Sequence, residues 1–334
     1  MAGQSEPASG DRNRTKTKAA LFSVLSNGTL IVLKVAVGLT IGSVSVLSEA
    51  IHSAMDLLAS LIAFVAVRTS GKPADREHPF GHGKAENISG AVEALLIFLA
   101  AGWILYEAAW KFLRPEPVRT PLWGVAVMLL SAGTNATVSR MLFRVSRETE
   151  SVALEADGWH LRTDVWTSAG VMGSLAAIWI GGILFPDLNL HWLDPAAAVA
   201  VALLIVRAAW RLTVQSTRDL MDTNLPPEEE RRIRDVIENR KDIIKGYHRF
   251  RSRRSGTTRF VDFHIKVDPE MTVERSHQAG EEISEDIRRL FTGANVTIHV
   301  EPCDGRCARR CISGCFLDEE ERLRIRATRA RKEK

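Results

Sequence analysis

The chain has 334 residues, a net charge of +4, four cysteines and a mean hydropathy of −0.03. That near-zero mean averages two unlike regions: long apolar runs up to about Gln215, then a remainder crowded with Arg, Lys, Glu and Asp. The length accommodates a six-span membrane domain of about 200 residues and a small soluble domain. The modest charge argues against a nucleic-acid partner, because basic flanks beside spans more often set orientation or meet anionic lipid.

Residues 1–18 are polar and basic and lack the pattern of a cleaved signal, so a disordered cytoplasmic tail is expected there. Six windows are then long and apolar enough to span: residues 19–40, 44–67, 88–113, 122–143, 152–185 and 192–212. Asn27 in the first and Asn135 in the fourth suit hydrogen bonds between helices. The second holds His52-Ser-Ala-Met-Asp56, and the fifth holds His160-Leu-Arg-Thr-Asp164. On a helix, positions i and i+4 share a face, so each element offers an imidazole and a carboxylate to one point. Two such helices facing each other supply four N/O ligands, which suits tetrahedral zinc. Each pair taken alone is also open to a plain polar contact between helices. Glu49 and Asp157, one turn earlier, are open to metal uptake, proton carriage or pairing with a polar neighbour such as Arg162.

The loop after the second window holds three possible ligands, Asp75, His78 and His82, in a stretch interrupted by Pro and Gly. A cation fold or a polar loop at the lipid headgroups both fit it. Lys and Arg crowd the first tail, the two–three and four–five loops and the segment after the sixth window, which places both termini in the cytoplasm. Lys111, Arg114 and Arg119 dissent.

Past a linker at residues 216–227 the pattern changes. An amphipathic helix over 228–240, alternating segments at 245–254 and 258–267, a helix over 271–291 and a strand over 295–301 are expected. This αββαβ order over 228–302 predicts a small ferredoxin-like or metallochaperone-like α+β domain. His248, His264, His277 and His299 all fall in it, and Glu301 shares a strand face with His299. Surface histidines are the plainer alternative. Residues 303–334 form a basic tail carrying Cys303, Cys307, Cys311 and Cys315, a soft stripe if helical, open to zinc or copper(I) capture or redox sensing.

Together the paired His-x-x-x-Asp elements, the Asp75…His78-Pro-Phe-Gly-His82-Gly-Lys84-Ala-Glu86 loop and the cytoplasmic domain resemble the cation diffusion facilitator family, over about residues 19–302. The resemblance implies an α-helical inner-membrane protein with six transmembrane helices and an α+β cytoplasmic domain, not an enzyme. It implies a homodimeric Zn²⁺/H⁺ antiporter whose transport site is His52, Asp56, His160 and Asp164. Some members carry Asp at the first position; His52 there favours zinc over cadmium, iron or manganese, since a neutral imidazole suits zinc better than hard cations. It also implies a two-metal site from His248, His264, His277, His299 and an acid, here Glu301 in place of Asp. The resemblance further implies a dimer-holding charge pair from Lys84, with Asp222 as the candidate partner and Asp219 in reserve. An exporter of iron, cadmium or manganese, and a membrane-anchored sensor without flux, are the rival readings. An intramembrane zinc protease would use His-Glu-x-x-His, and that string is absent.

Overall fold

A computed structural model describes residues 6–41, 44–113, 122–184, 192–305 and 309–332. The chain divides into two compact units, Gly10–Leu220 and a second that takes in Met221–Lys334.

The first unit is helical: α1 (Glu6–Ile41), α2 (Val44–Ser70), α3 (Lys84–Leu113), α4 (Leu122–Thr149), α5 (Val152–Leu184) and α6 (Leu193–Leu220). Four of these contain described stretches long and apolar enough to cross a membrane: Gly10–Thr40, Ser53–Ser70, Lys84–Leu113 and Leu193–Leu220. Leu25, Val32, Leu39, Leu99 and Leu203 are each more than half exposed on these helices, apolar surface that needs lipid to cover it. α5 carries Asp157, His160, Arg162 and Asp164 in its first half, which lowers the hydropathy of that half.

Helix contacts inside the unit are built on small residues, as expected where backbones must approach without a water-driven collapse. Ala94, Ala101 and Ala209 are buried in one cluster that joins α3 and α6. A Cβ on Gly90 would lie 2.6 Å from Ser216 Oγ and 3.1 Å from Val152 Cγ1, so only glycine allows α3 this close to its neighbours.

The expected disordered tail over residues 1–18 is corrected by the structure, since α1 is already helical from Glu6. The cause is electrostatic: the Lys16 ammonium is buried 2.7 Å from Glu86 Oε1, which ties the polar start of α1 to the start of α3. At 36 residues α1 is about 54 Å long, well beyond a hydrocarbon core of about 30 Å, so its polar end extends past the lipid.

The second unit runs α7 (Pro227–Glu238), β1 (Gly246–Ser255), β2 (Thr258–Val267), α8 (Val273–Leu290), β3 (Asn295–Pro302), α9 (Arg309–Ile312) and α10 (Glu319–Lys332). Pro227 opens α7, where its missing N–H costs nothing, and the Thr272 hydroxyl caps α8 by accepting from Arg275 N. β1 and β2 form an antiparallel hairpin; α8 then returns the chain to lay β3 parallel to β2. Along β2 the side chains alternate: Val261, Phe263 and Ile265 join Ile233, Ile237, Ile283 and Ile287 in the core. Asp262, His264 and Lys266 take the opposite face. His248, His264 and His299 are paired across all three strands, so they form one row on that face.

The three described cysteines make no helical stripe. Cys303 is buried just past β3, Cys311 lies in α9, Cys315 bridges the backbone of Gly246, and Cys307 lies outside the described residues. The tract folds back on β1: Tyr247 N donates to Gly314 O at 2.9 Å and Phe316 N to Lys245 O at 3.1 Å. Gly246 permits this, because a Cβ there would sit 2.7 Å from Gly314 O.

The core identifies where this unit is fragile. Ile283→Ala should cost about 2–5 kcal/mol through the cavity it leaves, while Val273→Ala, on an exposed side chain of the same helix, should change stability by less than about 0.5 kcal/mol. Urea unfolding of the full-length protein, followed by protection of the β2 amides, measures both.

Candidate metal centres

Three groups of side chains place their ligand atoms within 4.8 Å of one another: Asp56, His160 and Asp164; Asp75, His78 and His82; and His248, His264 and Glu301. The first lies between α2 and α5. His160 Nε2 is 3.3 Å from Asp56 Oδ1, and both side chains are less than a tenth exposed. The helical four-residue step from His160 brings Asp164 to the same point. α1 braces the site: Asn27 Nδ2 donates to Asp56 O at 3.4 Å and to Ser60 Oγ at 3.3 Å. His52 lies on α2 one turn before Asp56, but its side chain, like that of Glu49, is outside the described ones. One imidazole and two carboxylates, poorly solvated, form a set with a strong preference for a divalent cation.

Around this cluster the interior holds more ionisable groups than expected. Asp157 is fully buried and forms no ion pair with Arg162 among the described residues. Glu93 on α3 is fully buried and accepts from Ser89 Oγ at 3.0 Å. Asn135 is buried, but its Oδ1 has no hydrogen-bond partner among the described residues. Lys34 was missed in reading the first window; its Nζ donates to Ser53 Oγ at 2.7 Å, Ser53 being the residue that follows His52 in the sequence. A lone lysine inside an apolar run was the available signal.

The loop cluster is organised by its own backbone. Asp75 Oδ1 accepts from Glu77 N and His78 N, at 3.0 and 2.7 Å, and Gly81 turns the chain with a φ of 81°. His78 Nδ1 and His82 Nε2 then each lie 3.3 Å from an Asp75 oxygen. The His78 backbone N–H, chiefly, holds the Asp75 carboxyl below its usual range, and the ring of His78 adds to it. Asp75 is thus an ionised acceptor between two imidazoles.

In the α/β unit, Glu301 stands at the centre. Its Oε1 is 2.7 Å from His264 Nδ1 and 3.7 Å from His299 Nε2; its Oε2 is 3.5 Å from His248 Nε2 and 2.7 Å from Lys266 Nζ. Burial opposes ionisation of Glu301, yet Lys266 and His264 draw its pKa down to about 2. Burial also pushes His248 below the usual histidine value, against the pull of Glu301, which favours the neutral ring that a metal requires. His299 is 64% exposed at the edge of the group, and His277 is exposed on α8 and not gathered into it.

Lys84 Nζ donates to Leu220 O at 3.4 Å, and Asp219 accepts from Asn87 at 2.9 Å. Asp222, with a φ of 55°, accepts from Arg253 at 3.3 Å. Glu86, two residues after Lys84, is completely buried and takes three donors from three other segments: Lys16, Ser70 and Ser151, at 2.7, 2.6 and 2.5 Å.

A chain with these two units, a helical bundle with buried N/O clusters and a small α/β unit, has counterparts of known family. The cation efflux transmembrane domain model matches residues 20–221, and the model for the cytoplasmic domain of cation efflux proteins matches residues 225–303. An uncharacterized transporter of Synechocystis sp. is 36% identical over 87% of this chain and 92% of its own. The cation-efflux pump FieF of Cronobacter sakazakii is 31% identical over 88% and 95%, and that of Serratia proteamaculans is 31% identical over 87% and 94%. The chain therefore belongs to the cation efflux family, the cation diffusion facilitators. It is an integral membrane protein, a cation efflux transporter and not an enzyme, with a small cytoplasmic α/β domain.

The Glu86 hub yields a direct expectation. Removing either member of a buried ion pair leaves the other charge unpaired, at about 3–5 kcal/mol. Lys16→Met and Glu86→Gln should each lower the thermal midpoint of the detergent-solubilised protein strongly, and the double variant should recover part of the loss.

Proposed function

We propose that this protein exports Zn²⁺ in exchange for protons, working as a homodimer by alternating access. The observation that carries the reading is the convergence of Asp56 on α2 with His160 and Asp164 on α5. A buried carboxylate pair with one imidazole needs a cation to balance it, and His52, a turn before Asp56 on the same helix, completes a four-ligand N/O set suited to zinc. In this reading all six long helices span the bilayer. The Lys and Arg of the first helix start, of the two–three and four–five connections and of the segment after α6 put both termini in the cytoplasm.

The cycle follows from competition for lone pairs. With the cavity open to the cytoplasm, Zn²⁺ binds deprotonated His52 and His160 together with Asp56 and Asp164. After the bundle rocks, protons from the far side take the same nitrogen and oxygen lone pairs and release the metal. Asp75, His78 and His82 form a second binding place at the cytoplasmic end of α2. His248, His264 and Glu301, with His299 at the rim and His277 offered to a partner, form a third. Zinc there tightens the dimer and biases its conformation, with Lys84 and Asp222 as the charge pair across protomers.

Purified protein in liposomes with an imposed pH gradient tests this directly. Zinc should accumulate against its gradient while protons move the other way. Asp56→Ala or Asp164→Ala should reduce the flux by at least about 100-fold, more than the loss of an outer-shell partner to a metal site. Flux surviving both changes would remove the site from the mechanism.

Ligand type fixes selectivity in the same assay. His52→Asp replaces a neutral nitrogen by a hard anionic oxygen, so transport should shift toward cadmium, manganese or iron relative to zinc. An unchanged metal order would mean that the fourth ligand does not choose the metal.

A further inference from the structure

The row of histidines on the sheet is interrupted by a charge of the same sign as the metal it would hold. Lys266 follows His264 by two residues on β2, so it occupies the same face, and in the parallel register it stands opposite Glu301. Its ammonium is 2.7 Å from Glu301 Oε2 with the side chain only 14% exposed, and a further bond reaches Pro302 O at 3.3 Å. The same Oε2 is the oxygen that faces His248 Nε2 at 3.5 Å, whereas Oε1 is taken up with His264 at 2.7 Å. A zinc ion joining His248 to Glu301 would sit about 2.0–2.2 Å from this carboxylate, next to the ammonium. Two cations cannot share that oxygen without strong repulsion in a half-buried setting.

We propose that Lys266 is a tethered cation that competes with metal for Glu301, so that its departure sets the zinc concentration at which the cytoplasmic cluster fills. This rests on the reading of His248, His264 and Glu301 as metal ligands. Without metal, the ammonium neutralises Glu301 and keeps the carboxylate turned toward the histidines, so the ligands stay gathered. When zinc arrives, the flexible lysine stem lets the ammonium swing away while it retains the Pro302 carbonyl, and Asp304 lies within electrostatic reach to receive it. The consequence is a raised threshold: the site ignores scarce zinc and responds only when the cytoplasmic level climbs.

The test uses the full-length protein in detergent micelles, with Zn²⁺ titrated against a chromophoric chelator. Glu301→Gln identifies the relevant step as the one that disappears. Lys266→Met should tighten that step roughly tenfold or more with no change in the number of ions bound. Lys266→Arg, which keeps the charge and verifies that the position tolerates change, should not tighten it. Equal or weaker zinc binding in Lys266→Met overturns the proposal and makes Lys266 an orienting partner of Glu301. If Glu301→Gln removes no step at all, the metal reading of the cluster itself fails, a distinct result.

Discussion

Everything in the helical unit answers to the cost of holding carboxylates away from water. Desolvation penalises an isolated buried charge by several kcal/mol, so each acid must find a counter-charge, a set of donors or a cation. Three solutions coexist here. Glu86 takes Lys16 and two serine hydroxyls and is saturated. Asp194 takes Ser174 Oγ at 2.8 Å and Lys111 at 3.3 Å. Asp56 and Asp164 share His160, and among the described residues this is the buried group in the unit whose ligand atoms cluster as a metal site would require. The first two arrangements are structural because they are complete within the protein. The third is left for a cation to complete, which is what the proposed transport role asks of it.

The same logic, applied to a sheet, produces the cytoplasmic cluster. A strand sends alternate residues to opposite faces, so one register that buries Val261, Phe263 and Ile265 must turn His264 and Lys266 outward. Pairing then aligns His248 and His299 beside His264 without any further specification. The bulge in β1 past His248, with Arg249 at a φ of 53°, restores the register for the rest of the hairpin and leaves His248 in the row. Fold and placement of the candidate ligands are therefore one event here: a slip by a single residue would break the core and scatter the histidine row together.

Period explains what was legible in the sequence. The αββαβ order and the strand limits were readable because alternation and helical spacing are local, and the observed β2 runs Thr258–Val267, the segment read from alternation. His160 with Asp164, and Asp75 with His78 and His82, were readable because each set is close in sequence. What could not be read depends on partners far along the chain. Lys16 looked like part of a solvated tail because Glu86, its partner, lies 70 residues away. Lys34 vanished into a hydropathy average although Ser53 anchors it from the next helix. The regular spacing of the cysteines left open whether their tract was helical, and only the structure shows residues 314–316 lying on β1, where Gly246 and Gly314 allow the close approach. Lys266 was passed over because nothing local announces that it faces Glu301.

The apolar packing bears on how such a bundle can move. One buried cluster joins α1, α2, α4 and α5 through Ala20, Val67, Leu142 and Leu161; another joins α3, α5 and α6 through Ile97, Ala156, Ile205 and Leu212. Well-packed clusters of this kind resist deformation and move as bodies. Helix α5 contributes to both, and its polar first half, with Asp157, His160 and Asp164, lies where they meet. Polar contacts there can be exchanged at little cost, because a hydrogen bond lost to one partner is recovered from a cation, a proton or water. An apolar seam offers no such exchange. The candidate ligands His160 and Asp164 thus lie on the one helix shared by the two packed clusters, and in the proposed cycle that is where a bound cation would bias one arrangement over another.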